Sequence, residues 1–198
     1  MKLGVIVEGH GDATAVPLLL RRIAVDLQFP DPLEIARPFR LPRGKILKGP
    51  ELQRCVEIVA RQVGSSQPIL VLLDADEDCP AEIGPRLAAL AAAQRSDRSL
   101  AVILAKREFE SWLVAGASSL AGHRGLPDAL PYSQDPEGLR DPKGWLGEKL
   151  PNGYSETIDQ PALAACLDWR LACRAASFAK LVRDLCRLLG IAPPPEAA

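Results

Sequence analysis

Short apolar runs alternate with helix-forming segments over the first two thirds of the chain. The runs are rich in Val, Ile and Leu, as strands buried on both faces are. Four strands are expected, at residues 2–7, 33–39, 69–73 and 100–104. Helices are expected between them, at residues 12–27, 50–63 and 81–93. Because this alternation is typical of parallel sheets covered by helices, we predict an α/β fold with a mainly parallel sheet flanked by helices.

The last third of the chain is predicted to elaborate this core. Residues 121–159 are rich in proline, glycine and charge, which indicates a long surface excursion, with a helical pattern only at residues 141–150. Pro161 opens a helical region that ends at Gly190. The 198 residues, 47% of them apolar, are enough for one domain with a sizeable core. The expected division is a core of residues 1–120, a loop and helical elaboration of residues 121–190 packed on the same domain, and a disordered tail of residues 191–198.

Composition argues against several classes of site. The five cysteines contain no Cys-x-x-Cys pair, so neither a zinc site nor a disulfide framework is expected. A formal net charge of −1 means that nucleic-acid binding would have to come from a local basic patch. No apolar run approaches the roughly 20 residues of a membrane span, and no signal-peptide pattern precedes the first strand. We therefore expect a cytoplasmic protein without membrane contact.

Acidic residues follow two of the predicted strands, at the point where each strand ends. Glu8 comes directly after the first strand, and residues 74–78 have the sequence Asp-Ala-Asp-Glu-Asp after the third. Because ligands of open α/β sheets bind at the carboxyl ends of the strands, these carboxylates are expected to meet at one edge. Asp74, Asp76 and Asp78 alternate along the chain and are expected to project to one side. Carboxylate oxygens suit Mg²⁺ or Mn²⁺, so the sequence predicts a metal-dependent phosphate site.

Three segments of the chain resemble a known family. They are residues 7–9 (Val-Glu-Gly) with Asp12 downstream, residues 73–76 (Leu-Asp-Ala-Asp) and residues 107–113 (Arg-Glu-Phe-Glu-Ser-Trp-Leu). Together they resemble the Toprim fold, the catalytic module of type II topoisomerases, bacterial primases and overcoming-lysogenization-defect nucleases. They resemble more closely a stand-alone bacterial Toprim-like family of unknown function, often encoded beside an ATPase and proposed to act in phage defence. Further matches to that family lie at residues 141–143 (Asp-Pro-Lys), Tyr154, Gln160 and residues 177–178 (Ser-Phe).

The resemblance implies a fold, a chemistry and a set of roles. The fold would be a Toprim-like Rossmannoid sheet, with residues 1–120 as the catalytic core. Glu8 would act as general acid or base at a phosphodiester, and Asp74 and Asp76 would hold Mg²⁺ or Mn²⁺. Asp78 is a candidate third ligand, while Gly9 and Asp12 would lie against the substrate. The implied activity is a metal-dependent nuclease acting on DNA or RNA.

Glu108 and Glu110 form a second acidic pair, at the start of a helix expected near Arg107. In nucleases of this type, additional carboxylates often hold a second metal ion. On helical geometry the two side chains would point about 200° apart, so only one is expected to face the site. We favour Glu108, because Phe109, Trp112 and Leu113 mark the buried stripe.

Basic residues are candidates for contact with the phosphates of the substrate. One stretch contains no acidic residue and consists of Arg37, Arg40, Arg43, Lys45 and Lys48. Such a loop either binds a nucleic-acid strand, chiefly through Arg43 and Lys45, or is a solvated loop. Lys106 and Arg107 lie closer to the predicted carboxylates, where they would stabilise phosphate charge, with Lys106 the candidate catalytic cation. Lys143 is a further candidate.

Two other functions stay open on the sequence alone. The first is a regulatory or binding subunit that engages an ATPase partner through residues 121–159 and the C-terminal helices without chemistry of its own. The second is a hydrolase for a small phosphorylated nucleotide. A homodimer also stays open. Topoisomerase and primase activity are not expected, because the chain carries neither a fused tyrosine domain, a zinc module nor a Walker sequence.

Overall fold

A computed structural model describes residues 1–197 and confirms the predicted α/β class. The strands within these residues are β1 (Lys2–Val7), β2 (Glu34–Ile35), β3 (Phe39–Arg40), β4 (Ile69–Asp74) and β5 (Leu100–Ala105). The α-helices are α1 (His10–Asp26), α2 (Arg43–Ile46), α3 (Pro50–Val63), α4 (Pro80–Gln94), α5 (Glu110–Ala115), α6 (Pro142–Gly147), α7 (Asp159–Cys166), α8 (Trp169–Ala172) and α9 (Ala176–Leu189). Short 3-10 turns add Ala117–Leu120, His123–Gly125 and Pro195–Ala197.

The strands form one parallel sheet in the order β2-β1-β4-β5, with β3 also paired to β1. Residues 33–39, predicted as one strand, form the two short strands β2 and β3. Pro38 lies between them, and it lacks the N–H group that a continuous strand would need. In the centre of the sheet Val7 pairs with Leu72, so β1 and β4 end side by side at the same edge.

Helices cover both faces of the sheet, and each face has its own buried core. Leu70 and Leu72 of β4 belong to the larger core, which reaches the C-terminal helices. Val71 and Leu73 point the other way, into a core shared with α3 and α4. Central strands are therefore apolar on both faces, which is why their sequences are continuous apolar runs rather than alternating ones.

The C-terminal region packs closely on the core. Helix α7 lies along α1, and α9 lies against β5. Helix α9 ends at Gly190, whose φ of 71° is the left-handed conformation that favours glycine at such a position. The predicted disordered tail includes residue 198, which lies outside the described residues. Before it, Pro195–Ala197 form a 3-10 turn, and Arg183 donates a hydrogen bond to the carbonyl of Ala197.

Strand β5 is an edge strand of the sheet, and side chains of α9 cover part of its free edge. The carbonyl of Leu100 accepts a hydrogen bond from Arg187 at 2.8 Å, and that of Val102 accepts one from Lys180 at 3.1 Å. The N–H of Lys106 donates to the hydroxyl of Ser177 at 3.1 Å. Within residues 1–197, no helix combines the length and apolar character needed to cross a bilayer.

Candidate functional site

A small cavity of about 110 Å³ lies where β1 and β4 end. Its wall contains five carboxylates and one lysine among nine residues: Glu8, Gly9, Gly11, Asp12, Asp74, Glu110, Lys143, Glu156 and Gln160. We call this cavity the acidic pocket. The residues come from the ends of two central strands, the first turn of α1, and the start of α5, α6 and α7, so distant parts of the chain build one polar site.

Glu8 and Asp74 leave neighbouring strands and are linked to each other. The N–H of Asp74 donates to Oε2 of Glu8 at 3.4 Å, and the N–H of Phe109 donates to Oδ1 of Asp74 at 2.9 Å. Burial raises the pKa of Glu8 and raises that of Asp74 further, and nearby carboxylates add to both shifts. The predicted meeting of these two carboxylates at one sheet edge is therefore present in the structure.

Asp12 lines the acidic pocket, but its oxygens are engaged by the protein. Oδ2 accepts from the N–H of Gly9 at 2.9 Å, which satisfies a free donor at the start of α1. Oδ1 accepts from the amide of Gln160 at 2.8 Å, which ties α1 to α7. Burial raises the pKa of Asp12 despite these bonds. Its contacts are those of a residue that holds two helices together at the pocket wall.

Lys143 is the central positive charge of the cluster. Its Nζ lies 2.7 Å from Glu156 and 3.2 Å from Glu108, and Glu110 follows at 4.0 Å. Its backbone N–H also donates to Glu108 at 3.0 Å. Burial lowers the pKa of Lys143, but the surrounding carboxylates outweigh burial and the net shift is upward. Lys143 therefore stays charged and neutralises part of the acidic pocket.

Glu110 is the most buried of these carboxyl groups, with 1% of its surface exposed. Oε1 accepts from the hydroxyl of Tyr154 at 2.6 Å, while Oε2 has no hydrogen-bond partner. Burial raises the pKa of Glu110 to about 7. A buried carboxyl oxygen without a partner calls for a proton or a cation, since an isolated buried charge is costly.

Both glutamates of the second acidic pair face Lys143, whereas one was expected to point away. Helix α5 begins at Glu110, later than the expected start near Arg107. Glu108 therefore precedes the helix, and helical geometry does not separate the two side chains. Glu110, which the sequence reasoning disfavoured, lines the pocket. Tyr154, Glu156 and Gln160 were not predicted as site residues, although Tyr154 and Gln160 had been noted as matches to the Toprim-like family.

Asp76 and Asp78 lie outside the lining of the acidic pocket. Nε of Arg43 lies 3.2 Å from Asp76, and Nη2 of Arg43 bonds to Asp78. Arg107 is likewise engaged, 2.5 Å from Glu77. The expectation that alternate aspartates project to one side assumed strand geometry. Strand β4 ends at Asp74, and Asp76 adopts a left-handed φ of 49°, which breaks the alternation.

The other predicted basic residues lie apart from the acidic pocket. Lys45 is exposed on α2. Lys106 lines a separate cavity of about 670 Å³ between β5, α4 and α9. Although Lys106 directly follows β5, this cavity lies beside the free edge of the sheet, away from Glu8 and Asp74. The structure thus brings Lys143 to the carboxylates and leaves Lys106 and Lys45 outside the pocket.

Within residues 1–197, no group of three or more His, Cys, Asp or Glu side chains is arranged to hold a metal ion. The contacts above explain this. Asp12 accepts hydrogen bonds from Gly9 and Gln160. The ammonium of Lys143 lies close to the carboxylates of Glu108, Glu110 and Glu156. Arg43 forms ion pairs with Asp76 and Asp78. Glu8, Asp74 and Oε2 of Glu110 are the carboxylate groups of the acidic pocket that remain for a cation, and Oε2 of Glu110 lies 4.0 Å from Nζ of Lys143.

A family model described as a domain of unknown function, DUF4276, matches residues 7–186. The chain belongs to this family. The matched span contains the whole acidic pocket, from Glu8 to Gln160, as well as the helices α7 to α9 in large part. No curated protein and no solved structure matches the chain. Membership in DUF4276 assigns no activity, so the function has to be argued from the pocket.

Proposed function

We propose that this DUF4276 protein is a Toprim-type, divalent-metal-dependent phosphodiester hydrolase that acts on nucleic acid. The observation that carries the proposal is the meeting of Glu8 and Asp74 at the ends of adjacent parallel strands, in a pocket with buried Glu110. Ligands of open α/β sheets bind at this edge. Raised pKa values in a cleft are typical of functional carboxylates, which further supports the proposal.

The residues of the acidic pocket fit Mg²⁺ or Mn²⁺. Mg²⁺ keeps several waters and is commonly held by one or two carboxylates together with substrate phosphates, so three protein ligands are not required. Asp74 would hold the ion, and Oε2 of Glu110, which has no hydrogen-bond partner and lies 4.0 Å from Nζ of Lys143, offers a further acceptor. A bound divalent ion would stabilise the negative charge that develops on a phosphate.

Two side chains of the pocket have properties suited to the reaction. Glu8 is half-buried and its pKa is raised, so it can exchange a proton with a group at the pocket mouth. Lys143 keeps a fixed positive charge in the wall, held by Glu108 and Glu156, where it limits the repulsion between the acidic pocket and a phosphate.

The size of the acidic pocket favours a phosphodiester strand over a small nucleotide. About 110 Å³ holds only a few water molecules, since one water takes about 30 Å³ in the liquid. A substrate must therefore lie across the mouth rather than inside. Beside that mouth, Nη1 of exposed Arg40 lies 3.2 Å from Nδ1 of His10, and such groups can contact a phosphate backbone.

A second candidate function is a regulatory subunit that works with an ATPase partner, for instance in phage defence. The observation that favours it is Lys143, which already supplies a cation to Glu108, Glu110 and Glu156 without any metal. In that case the acidic pocket is a buried ion-pair network that holds α5, α6 and α7 together. Divalent ions would then have no specific effect on the protein.

The test is cleavage of labelled single- and double-stranded DNA and RNA with Mg²⁺ or Mn²⁺. We expect cleavage by the wild type that is lost in chelator, in Glu8→Gln and in Asp74→Asn. The matched control is Asp31→Asn, because Asp31 is exposed and precedes β2 at the opposite end of the strands. Cleavage that persists in both pocket variants would count against the proposed enzyme. The absence of any cleavage by the wild type, even with an ATPase partner present, would also count against it and would favour the regulatory subunit.

A further inference from the structure

The end of β4 and the segment that follows it carry four carboxylates that have two different environments. We call residues 74–78 the acidic loop. Asp74 points into the acidic pocket, whereas the other three carboxylates pair with arginines: Asp76 and Asp78 with Arg43, and Glu77 with Arg107. The difference shows that one residue of the loop serves the site while the arginines hold the rest of it.

Arg43 contacts the acidic loop at four points. Its Nε donates to the carbonyl of Asp74 and its Nη2 to that of Ala75, each at 3.2 Å. The same guanidinium pairs with the carboxylates of Asp76 and Asp78. Only 20% of the Arg43 side chain is exposed. These contacts use the planar fork of the guanidinium on both backbone and side chains, which a lysine ammonium cannot reproduce.

The conformation that Arg43 stabilises is an uncommon one. Asp76 has a φ of 49° and Arg107 a φ of 65°, both in the left-handed region. The two residues face each other in an isolated antiparallel bridge, in which the N–H of Asp76 donates to the carbonyl of Arg107 at 2.8 Å. Such backbone persists only where the surroundings hold it in place. Backbone hydrogen bonds from the N–H of Ala75 to the carbonyl of Ala105 and from the N–H of Asp78 to the carbonyl of Ala75 also hold it, and the ion pairs of Arg43 and Arg107 add to them.

We infer that Arg43 is a positioning residue: it holds the acidic loop so that the carboxylate of Asp74 stays beside Glu8, and Asp76 and Asp78 serve as its anchors. This inference rests on the proposed function, because Asp74 is the residue being positioned for a cation. It assigns Arg43 a role other than phosphate binding, and it assigns Asp76 and Asp78 a role other than metal coordination. The four contacts on the loop engage Nε and Nη2 of the guanidinium.

Amide hydrogen exchange of the metal-free protein tests the positioning directly. The N–H of Phe109 donates to Oδ1 of Asp74, so its exchange rate reports where that carboxylate lies. In Arg43→Gln and Arg43→Lys we expect this amide to exchange at least about tenfold faster, with the amides inside β4 unchanged. Arg37→Gln is the matched control, since Arg37 is exposed in the same basic stretch. An unchanged Phe109 amide in both Arg43 variants would overturn the inference.

Binding of Mn²⁺, measured by electron paramagnetic resonance, separates positioning from coordination. If Arg43 positions Asp74, Arg43→Gln weakens Mn²⁺ binding by about tenfold or more, as loss of a group that orients a ligand does. If Asp76 and Asp78 were metal ligands, Arg43→Gln would release them from their ion pairs and leave Mn²⁺ binding unchanged or tighter. That result would overturn the inference. Equal Mn²⁺ binding by the wild type and Asp74→Asn would instead refute the proposed function. In that case, the exchange rate of the Phe109 amide alone would test whether Arg43 positions the carboxylate of Asp74.

Discussion

Glu110 shows most clearly how a single residue sets the chemistry of the acidic pocket. Its carboxyl is almost fully buried, shares Lys143 with two other glutamates, and keeps one oxygen without a partner. Burial raises its pKa to about 7, so near neutral pH it takes up and releases a proton. The charge of the pocket therefore changes near neutral pH.

Glu110→Gln is expected to reduce the pH dependence of stability. A carboxyl whose pKa rises from 4.5 unfolded to about 7 folded stabilises the protein fully below pH 4.5, and this contribution is lost as the pH rises through 7. At about 1.4 kcal/mol per unit of pKa, the free energy of unfolding should fall by up to about 3 kcal/mol between pH 4.5 and 8 through this group. Urea denaturation in chelator measures it, and the variant should lose that part of the slope. An identical slope would contradict the assigned pKa.

Lys143→Met is expected to destabilise the protein at pH 8. Removing the ammonium leaves Glu108, Glu110 and Glu156 facing one another. Because 35% of the Lys143 side chain is exposed, the loss should be about 1–3 kcal/mol, below the about 3–5 kcal/mol of breaking a fully buried pair. The loss should be smaller at pH 5, where Glu110, with its pKa raised to about 7, holds a proton. Lys45→Met is the matched control, because Lys45 is exposed. Equal losses at both pH values, measured by urea denaturation, would show that charge balance is not the cause.

At the scale of elements, the acidic pocket depends on close contact between α1 and α7. Gly11 in the first turn of α1 lies so near α7 that a Cβ atom there would be 1.9 Å from the side-chain oxygen of Gln160 and 2.3 Å from the carbonyl of Glu156. Asp12 fixes the same contact through its hydrogen bond to Gln160. The two helices therefore set the width of the pocket together.

Gly11→Ala is expected to separate α1 from α7 and to lower stability by about 1–3 kcal/mol, the usual cost of overpacking. Gly44→Ala is its matched control, since a Cβ atom on Gly44 of α2 meets nothing within 4 Å. Thermal unfolding followed by circular dichroism compares the two. If both variants have the melting temperature of the wild type, the contact between α1 and α7 is looser than the structure shows.

The elements that could be predicted from sequence are those whose pattern is local. The apolar runs of β1, β4 and β5 identify central strands, and proline at the first position marks the starts of α3 and α4. The meeting of Glu8 and Asp74 at one sheet edge followed from their positions directly after two predicted strands. The direction of Asp76 did not, because it depends on a left-handed residue and on Arg43, 33 positions earlier in the sequence. Likewise, Tyr154 and Glu156 reach the pocket from a loop whose path no local pattern describes.

On the scale of the whole molecule, the C-terminal third is part of the main core rather than an addition to it. Trp112 of α5 donates to Ser177 of α9 at 2.8 Å, and Trp169 of α8 donates to Asp26 of α1 at 2.8 Å. Both tryptophans are buried in the larger core, together with Phe178. The sheet therefore has one of its two faces covered largely by residues that come after position 110.

We expect the protein to unfold in a single cooperative transition. Because the buried tryptophans connect both parts of the chain, tryptophan fluorescence and far-ultraviolet circular dichroism should give the same midpoint in urea. A chain ending at residue 120 should not fold, since it lacks the helices that bury one face of the sheet. Two separate transitions, or a cooperatively folded fragment, would show that residues 1–120 form an independent domain.

The cationic side chains on the free edge of β5 bear on how the protein behaves in a crowded cell. An uncovered edge strand is a template on which other chains can add strands, and such growth leads to aggregation. Arg187 and Lys180 occupy the carbonyls of Leu100 and Val102 that an incoming strand would need. Helix α9 thus does more than fill the core, because its side chains also make the addition of a strand at this edge less favourable.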